Sequence, residues 1–264
     1  PAYHGFADRR MWFGVPNTLD VLSNVAFVVA GAAGLAVVSR ARRLGDTWSA
    51  YMVFFGGVAM TGFGSAWYHL EPSTPRLFWD RLPMTIAFAG LVSAAVSERV
   101  DPRTGARLLV PLLWCGASSV VLWIATEQRG AGDLRAYGFV QFGALATLVL
   151  VGALYPPRRG GDFVPAVVVL YAVAKLLEHF DAEVLEATGA VGGHGLKHLA
   201  AALAPVVVLA SIRSATGYSA SAPIGQVPTL SERFHGIRAS TSPIAHESVT
   251  AEKASPAPMK AASR

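Results

Sequence analysis

The chain has 264 residues, 53% of them hydrophobic and only 15% charged, with a mean hydropathy of +0.43, whereas soluble chains run at roughly 45–50% apolar and about 25% charged. That balance excludes an ordinary soluble domain. The formal net charge of +5 does not make nucleic acid a partner, because the arginines fall in connections between apolar runs, where membrane orientation already accounts for them.

Residues 1–16 lack the apolar core of a cleavable signal peptide, and the first apolar run is long enough to stay in the membrane as its own signal. Charge-free runs follow at 21–39, 47–68, 82–97, 108–126 and 136–157, most of them near the roughly 17–25 residues that cross a bilayer as a helix. Two shorter runs, 163–174 and 199–212, reach that length if Lys175 and the turn from His194 to His198 are admitted to the bundle. The expected fold is therefore all-α: a polytopic membrane protein whose residues 1–213 form one seven-transmembrane-helix domain without internal repeats. Cys115, the single cysteine, lies in the fourth run, which excludes an intramolecular disulfide and leaves any metal to His, Asp or Glu. Residues 214–264 are rich in Ser, Ala, Pro and Thr and cannot bury enough apolar surface to offset ordering entropy, so they read as a disordered cytoplasmic tail.

Orientation follows from arginine bias. The connections after the first, third and fifth runs carry Arg40, Arg42, Arg43, Arg99, Arg103, Arg107, Arg158 and Arg159, and the chain leaves the last run at Arg213. The other side carries Arg9, Arg10, Arg76, Arg81, Arg129 and Arg135, and its last connection is acidic through Asp181, Glu183 and Glu186. The bias places the N-terminus outside and the C-terminus in the cytoplasm. Alanine-, arginine- and valine-rich usage points to a bacterial inner (plasma) membrane.

The chemistry collects on the outer side. His194 and His198 are four residues apart at the start of the last run, which puts both imidazoles on one helix face where they can grip one metal ion. His69 ends the second run at the same depth, Asp80 begins the third, and Ser65 lies one turn deeper than His69 on its helix face. Three imidazoles suit Zn2+ with one position left for water, the usual catalytic arrangement. Asp80 can then accept the water proton and hand it to a leaving amine, while the Ser65 hydroxyl steadies an oxyanion or orients the water. Taken singly, each residue has a commonplace reading. His69 can be an interfacial residue, Ser65 can pack between helices, and Asp80 with Arg81 can form an interfacial ion pair. Their shared depth is what argues for a hydrolytic site.

Ser-x-x-x-His closing the second run, an Asp eleven residues later, and His-x-x-x-His opening the seventh resemble the alkaline ceramidase family, one branch of a superfamily of seven-helix membrane hydrolases that includes the adiponectin-type receptors. The likeness extends to Asn17-Thr18-Leu19-Asp20-Val21-Leu22-Ser23-Asn24 and to Leu196-Lys197-His198-Leu199. It implies that His69, His194 and His198 bind zinc, that Asp80 and Ser65 assist its water, and that the substrate is a ceramide-like N-acyl lipid cut to a fatty acid and a sphingoid-type amine. The chain departs from the family at its N-terminus, where Asp8 stands beside Arg9 and Arg10 instead of within an acidic calcium-binding segment, so calcium is not carried over.

Asp20 and Asn24 share a helical face and fit either a second shell to a zinc ligand or helix capping with an interhelical hydrogen bond. Lys175 is expected to pair with Glu178, the Lys197 stem to snorkel toward headgroups, and His4 and His179 to sit at the interface. Two other functions compete with a zinc-dependent lipid amidase. One is a lipid receptor with a structural zinc site, which would need a fourth protein ligand such as Asp80; the other is a transporter, for which matching glycine- or proline-broken helix pairs are missing.

Overall fold

The computed structural model describes residues 4–157 and 161–216. Among these residues the chain is helical, with no strand beyond an isolated bridge between Trp12 and Val15. In chain order the helices are α1 (Thr18–Ser23), α2 (Val25–Arg40), α3 (Thr47–Leu70), α4 (Thr74–Arg99), α5 (Pro102–Glu127), α6 (Arg135–Leu154), α7 (Val164–His179), α8 (Asp181–Thr188) and α9 (Gly193–Thr216). A single turn of 3-10 helix, Arg42–Leu44, links α2 to α3.

Four helical stretches are long and apolar enough to cross a membrane: Thr18–Arg40, Pro102–Glu127, Arg135–Leu154 and Gly193–Ala215. Their outward faces carry large apolar side chains, with Phe139 75% and Trp114 71% exposed, as expected of surfaces that meet lipid. α3 has span length at 24 residues and carries no Asp, Glu, Lys or Arg, but Trp, Tyr, Ser and Gly dilute its hydropathy. α4, at 26 residues, includes Arg76, Asp80, Arg81, Glu98 and Arg99, and α7 is 16 residues long.

Several boundaries differ from the apolar runs. α4 starts at Thr74, with Pro75 in its first turn and Ser73 as N-cap. Proline is tolerated there because its missing N–H would have no helical partner. Asp80 is consequently two turns inside the helix instead of at its start, and Pro83 is accommodated within it. The acidic connection after α7 folds into α8, whose sequence has no internal Gly or Pro and which stops at Gly189 in the left-handed region with φ +63°. α9 begins at Gly193, so both histidines lie in its first two turns, and it runs past residue 213. Arg158, Arg159 and the tail from residue 217 onward lie outside the described residues.

α3 is the central helix, lying against both α2 and α4. Backbone contact with α4 is close: a Cβ on Gly57 would fall 2.5 Å from the Ala87 nitrogen, and one on Gly90 2.4 Å from the Phe54 nitrogen. Small residues permit such approach where van der Waals packing drives association. Toward one end of the bundle lies an apolar core that includes Val38, Tyr51, Phe55, Val208 and Ile212. The opposite end, where α3 finishes and α4 and α9 begin, holds a smaller aromatic cluster of Phe6, Tyr68, Leu77, Val120, Trp123 and Tyr137.

Candidate metal centre

His69 occupies the last turn of α3, and His194 and His198 the first turns of α9. α9 can start there because Gly193 abuts α7, where a Cβ would lie 2.1 Å from the Leu177 carbonyl oxygen. All three imidazoles are buried, with ring centroids 4.9, 5.1 and 5.0 Å apart. One nitrogen from each ring lies within 4.8 Å of the others, and these residues are the one such group of His, Cys, Asp and Glu among the described residues. The Nε2 atoms of His69 and His194 are 3.3 Å apart. A tetrahedral ion held at zinc–nitrogen distances of about 2.0–2.1 Å requires nitrogens about 3.3 Å apart, so the pair already has the spacing of two ligands on one ion. These three histidines can hold a metal ion.

The hydrogen-bond pattern fixes one tautomer. Ser23 Oγ donates its only proton to the Asp20 carbonyl at 2.9 Å and lies 2.8 Å from His198 Nδ1. With the hydroxyl proton committed, Nδ1–H must be the donor, which leaves the Nε2 lone pair for a metal. Ser23 thus shares the orienting of His198 with Asp20, whose backbone carbonyl also hydrogen-bonds the ring. Asp20 acts here through its carbonyl, which also accepts from Asn24 Nδ2 at 2.7 Å. Its carboxylate is 1% exposed and without a hydrogen-bond partner among the described residues, as is His69 Nδ1. Asn17 Nδ2 donates to the His69 carbonyl at 2.8 Å and pins the end of α3.

The segment before α1 closes over the histidines. The Phe6 ring lies 4.6 Å from His69 and 4.5 Å from His194, centroid to centroid. His4 contacts the Tyr68 hydroxyl at 2.9 Å and Thr74 Oγ1 at 3.3 Å. One carboxylate joins this strap to the ligand helix: Asp181 accepts from the His194 backbone N–H at 2.8 Å and from the Ala7 N–H at 2.9 Å. Arg10 forks onto both oxygens of Asp8, at 2.8 and 2.7 Å, and reaches the Ala190 carbonyl at 2.6 Å. Hydrogen bonds from Arg10 hold the Asp8 carboxyl below its ordinary pKa.

Below the strap the histidines share a cavity of about 400 Å³ with Ser65 and Asp80. Ser65 is 3% exposed and Asp80 half-buried, and the serine side chain hydrogen-bonds the carboxylate. The structure therefore brings together all five residues singled out in the sequence. Lys175 pairs with Glu178 at 2.7 Å, as expected. Lys197 does not snorkel outward: it turns into the cavity wall and pairs with the other oxygen of Glu178. Arg81 lies against aromatic faces, with its guanidinium carbon 4.2 Å from the Trp123 ring centroid and 5.2 Å from that of Tyr137.

Sequence reasoning missed Phe6, Ser23, Asp181 and the Lys197–Glu178 pair. Only Ser23 carried a readable signal, since it follows Asp20 by three residues on a helix whose polar face was already noted. Comparisons with protein-family models, with curated proteins and with solved structures return no match.

Proposed function

We propose that this chain is a zinc-dependent intramembrane amidase that hydrolyses ceramide-like N-acyl lipids to a fatty acid and an amine, within a seven-span bundle whose N-terminus faces outward and whose C-terminus faces the cytoplasm. The observation that carries the reading is the placement of Asp80 and Ser65 in one cavity with three clustered histidines that lack a fourth protein ligand among the described residues. A structural zinc site would be closed by four protein ligands, which makes the receptor alternative the weaker one. The likeness to alkaline ceramidases supports the choice of an amide substrate.

When bound, zinc supplies Lewis acidity and makes water nucleophilic near neutral pH. The chain's own residues then have separable tasks. His198 is held in its ligating tautomer by Ser23 and the Asp20 carbonyl. Asp80 accepts a proton at a carboxylate oxygen and returns it to the departing amine nitrogen, as a positioned general acid–base. Ser65 keeps that carboxylate aimed into the cavity. Phe6 and the strap exclude bulk water, which strengthens each of these interactions.

Metal analysis of the purified protein, together with fatty-acid release from a panel of N-acyl lipids, tests the reading. Asp80→Asn is expected to retain zinc while hydrolysis falls about 100-fold or more, the range for a lost general acid–base. Hydrolysis at the normal rate in that variant would remove Asp80 from the mechanism and favour the receptor.

A further inference from the structure

The cavity continues past the histidines. Beyond Ser65, Asp80 and His198 its lining reaches about one helical turn deeper, to Thr61 on α3, Met84 on α4 and Ala201 on α9. α6 supplies the facing wall. It starts at the metal end, where Leu134 and Tyr137 belong to the aromatic cluster, and its inward stripe is Tyr137, Gln141, Leu148 and Val151. The Tyr137 hydroxyl touches the Met84 sulfur at 3.7 Å, so Gln141, a further turn along α6, borders the deep arm of the cavity and not its catalytic end.

The period of that stripe asks for an apolar side chain at position 141. Gln141 is instead a cavity-lining amide, 7% exposed and without a hydrogen-bond partner among the described residues. Tyr171 of α7 lines the same cavity, with its ring 6.1 Å from that of Phe88, about two turns below Asp80 on α4. Its hydroxyl is also buried without a partner. Thr61, by contrast, has given its proton to the Gly57 carbonyl at 2.8 Å. An unpaired buried amide or hydroxyl costs about 1–3 kcal/mol, and a native fold that keeps such groups keeps them for a reason. A plain hydrocarbon chain laid into this arm would cover both groups and offer neither a partner. A chain with a hydroxyl would both donate to and accept from them.

We propose that Gln141, assisted by Tyr171, is a specificity-determining residue that selects lipid amides whose chain bears a hydroxyl group within a few carbons of the scissile bond. This inference rests on the lipid-amide reading of the same cavity. The hydroxyl can belong to the acyl chain or to the chain of the amine, and two arms of one experiment separate these sources. The full-length protein in a non-ionic detergent is given N-myristoylethanolamine and its β-hydroxymyristoyl and δ-hydroxymyristoyl analogues. In the second arm it is given N-myristoyldodecylamine and the analogues with a hydroxyl on the third or fifth carbon of the dodecyl chain. Preference is read as a ratio of binding constants where the amide survives and of kcat/KM where it is cleaved, so the test does not depend on turnover. At least one hydroxylated lipid is expected to be preferred about tenfold over its plain partner, since a site built to hydrogen-bond a group rejects the analogue that lacks it. Gln141→Leu should bring the ratio to within about twofold of one at unchanged metal content, and should do so partly by tightening the plain lipid, a gain that a merely structural role would not produce. Tyr171→Phe should lower the ratio part of the way. Equal preference by the wild-type protein in both arms overturns the proposal even if no variant folds, and so does an undiminished ratio in Gln141→Leu. Hydroxyl preference without hydrolysis of any amide would sustain the subsite and remove the amidase, hydrolysis without hydroxyl preference would do the reverse, and failure of every lipid to bind would remove both.

Discussion

Replacing Ser23 by alanine isolates the step by which the fold selects a ligating tautomer. His198 is buried, and its Nδ1–H has the Ser23 oxygen 2.8 Å away. Alanine removes one of two acceptors at that ring, the Asp20 backbone carbonyl being the other, so the penalty falls at the lower end of the about 1–3 kcal/mol for an unsatisfied buried group. The tautomer with its proton on Nε2, which cannot ligate through that nitrogen, becomes competitive by the same amount. At about 1.4 kcal/mol per tenfold, metal affinity should fall roughly 5-fold, below the about 10- to 100-fold typical of outer-shell partners lost outright. Chelator competition on detergent-purified protein measures the effect, and Ser23→Thr, which keeps the hydroxyl, should restore most of it. If Ser23→Ala binds metal within about twofold of wild type, the hydroxyl does not set the tautomer and the orientation of His198 has another origin.

The ligands themselves give the coarsest test: His194→Ala should lose most of the bound metal, and full metal content after joint substitution of His69, His194 and His198 would refute the centre. Ser65→Ala should lower hydrolysis less than Asp80→Asn does, because it loosens the carboxylate without removing it. Phe6→Ala deletes a ring buried against two ligands and should lower stability by about 3 kcal/mol, read in the thermal midpoint, and speed metal loss to a chelator; an unchanged release rate would mean that the ring does not seal the site. The clasp between Asp8 and Arg10 stabilises the strap when Asp8 is ionised. Because its folded pKa lies below the ordinary aspartate value of 3.8, that contribution is complete at neutral pH and fades only as pH falls below 3.8 through the lowered value. Hydrogen exchange of residues 7–10 should therefore be flat from pH 8 down to about 5 after correction for intrinsic rates, and a loss of protection near pH 6 would implicate a different group.

Most of the site was legible because its chemistry is local: Ser65 with His69, and His194 with His198, each repeat at one helical turn, and a histidine in an apolar run is conspicuous. That Asp80 would join them followed from helices alternating direction. The contributions of Asp181 and Phe6 were not legible, since each acts across a sequence separation that no periodicity encodes. Asp181 lies 174 positions from the Ala7 amide that it accepts. The start of α4 was misread for a different reason: Arg76, Asp80 and Arg81 look like a membrane-flanking loop by charge, yet a helix whose polar side chains face a cavity can carry them inside the bundle. Lys197 was misplaced because snorkelling describes a lone lysine, and Glu178, on another helix, is a partner that sequence alone did not supply.

The separation of 125 positions between His69 and His194 has a consequence for how the protein is made. Helices are delivered to the membrane in order of synthesis, so the first imidazole reaches its place while more than a hundred residues, including both of its companions, are still untranslated. Until α9 arrives, that imidazole has only water, lipid or a borrowed contact to satisfy it. The bond from Asp181 to the His194 amide must also wait for α9, whereas Ala7 and Asp181 are both made before it. An ion held by all three imidazoles can be loaded only after α9 docks, so metal content would report whether the last helix is in place. Chains released before α9 should accumulate empty and be cleared by proteolysis, while a chelator present during synthesis should arrest finished chains in a form that differs from the mature protein mainly at the end where the strap closes.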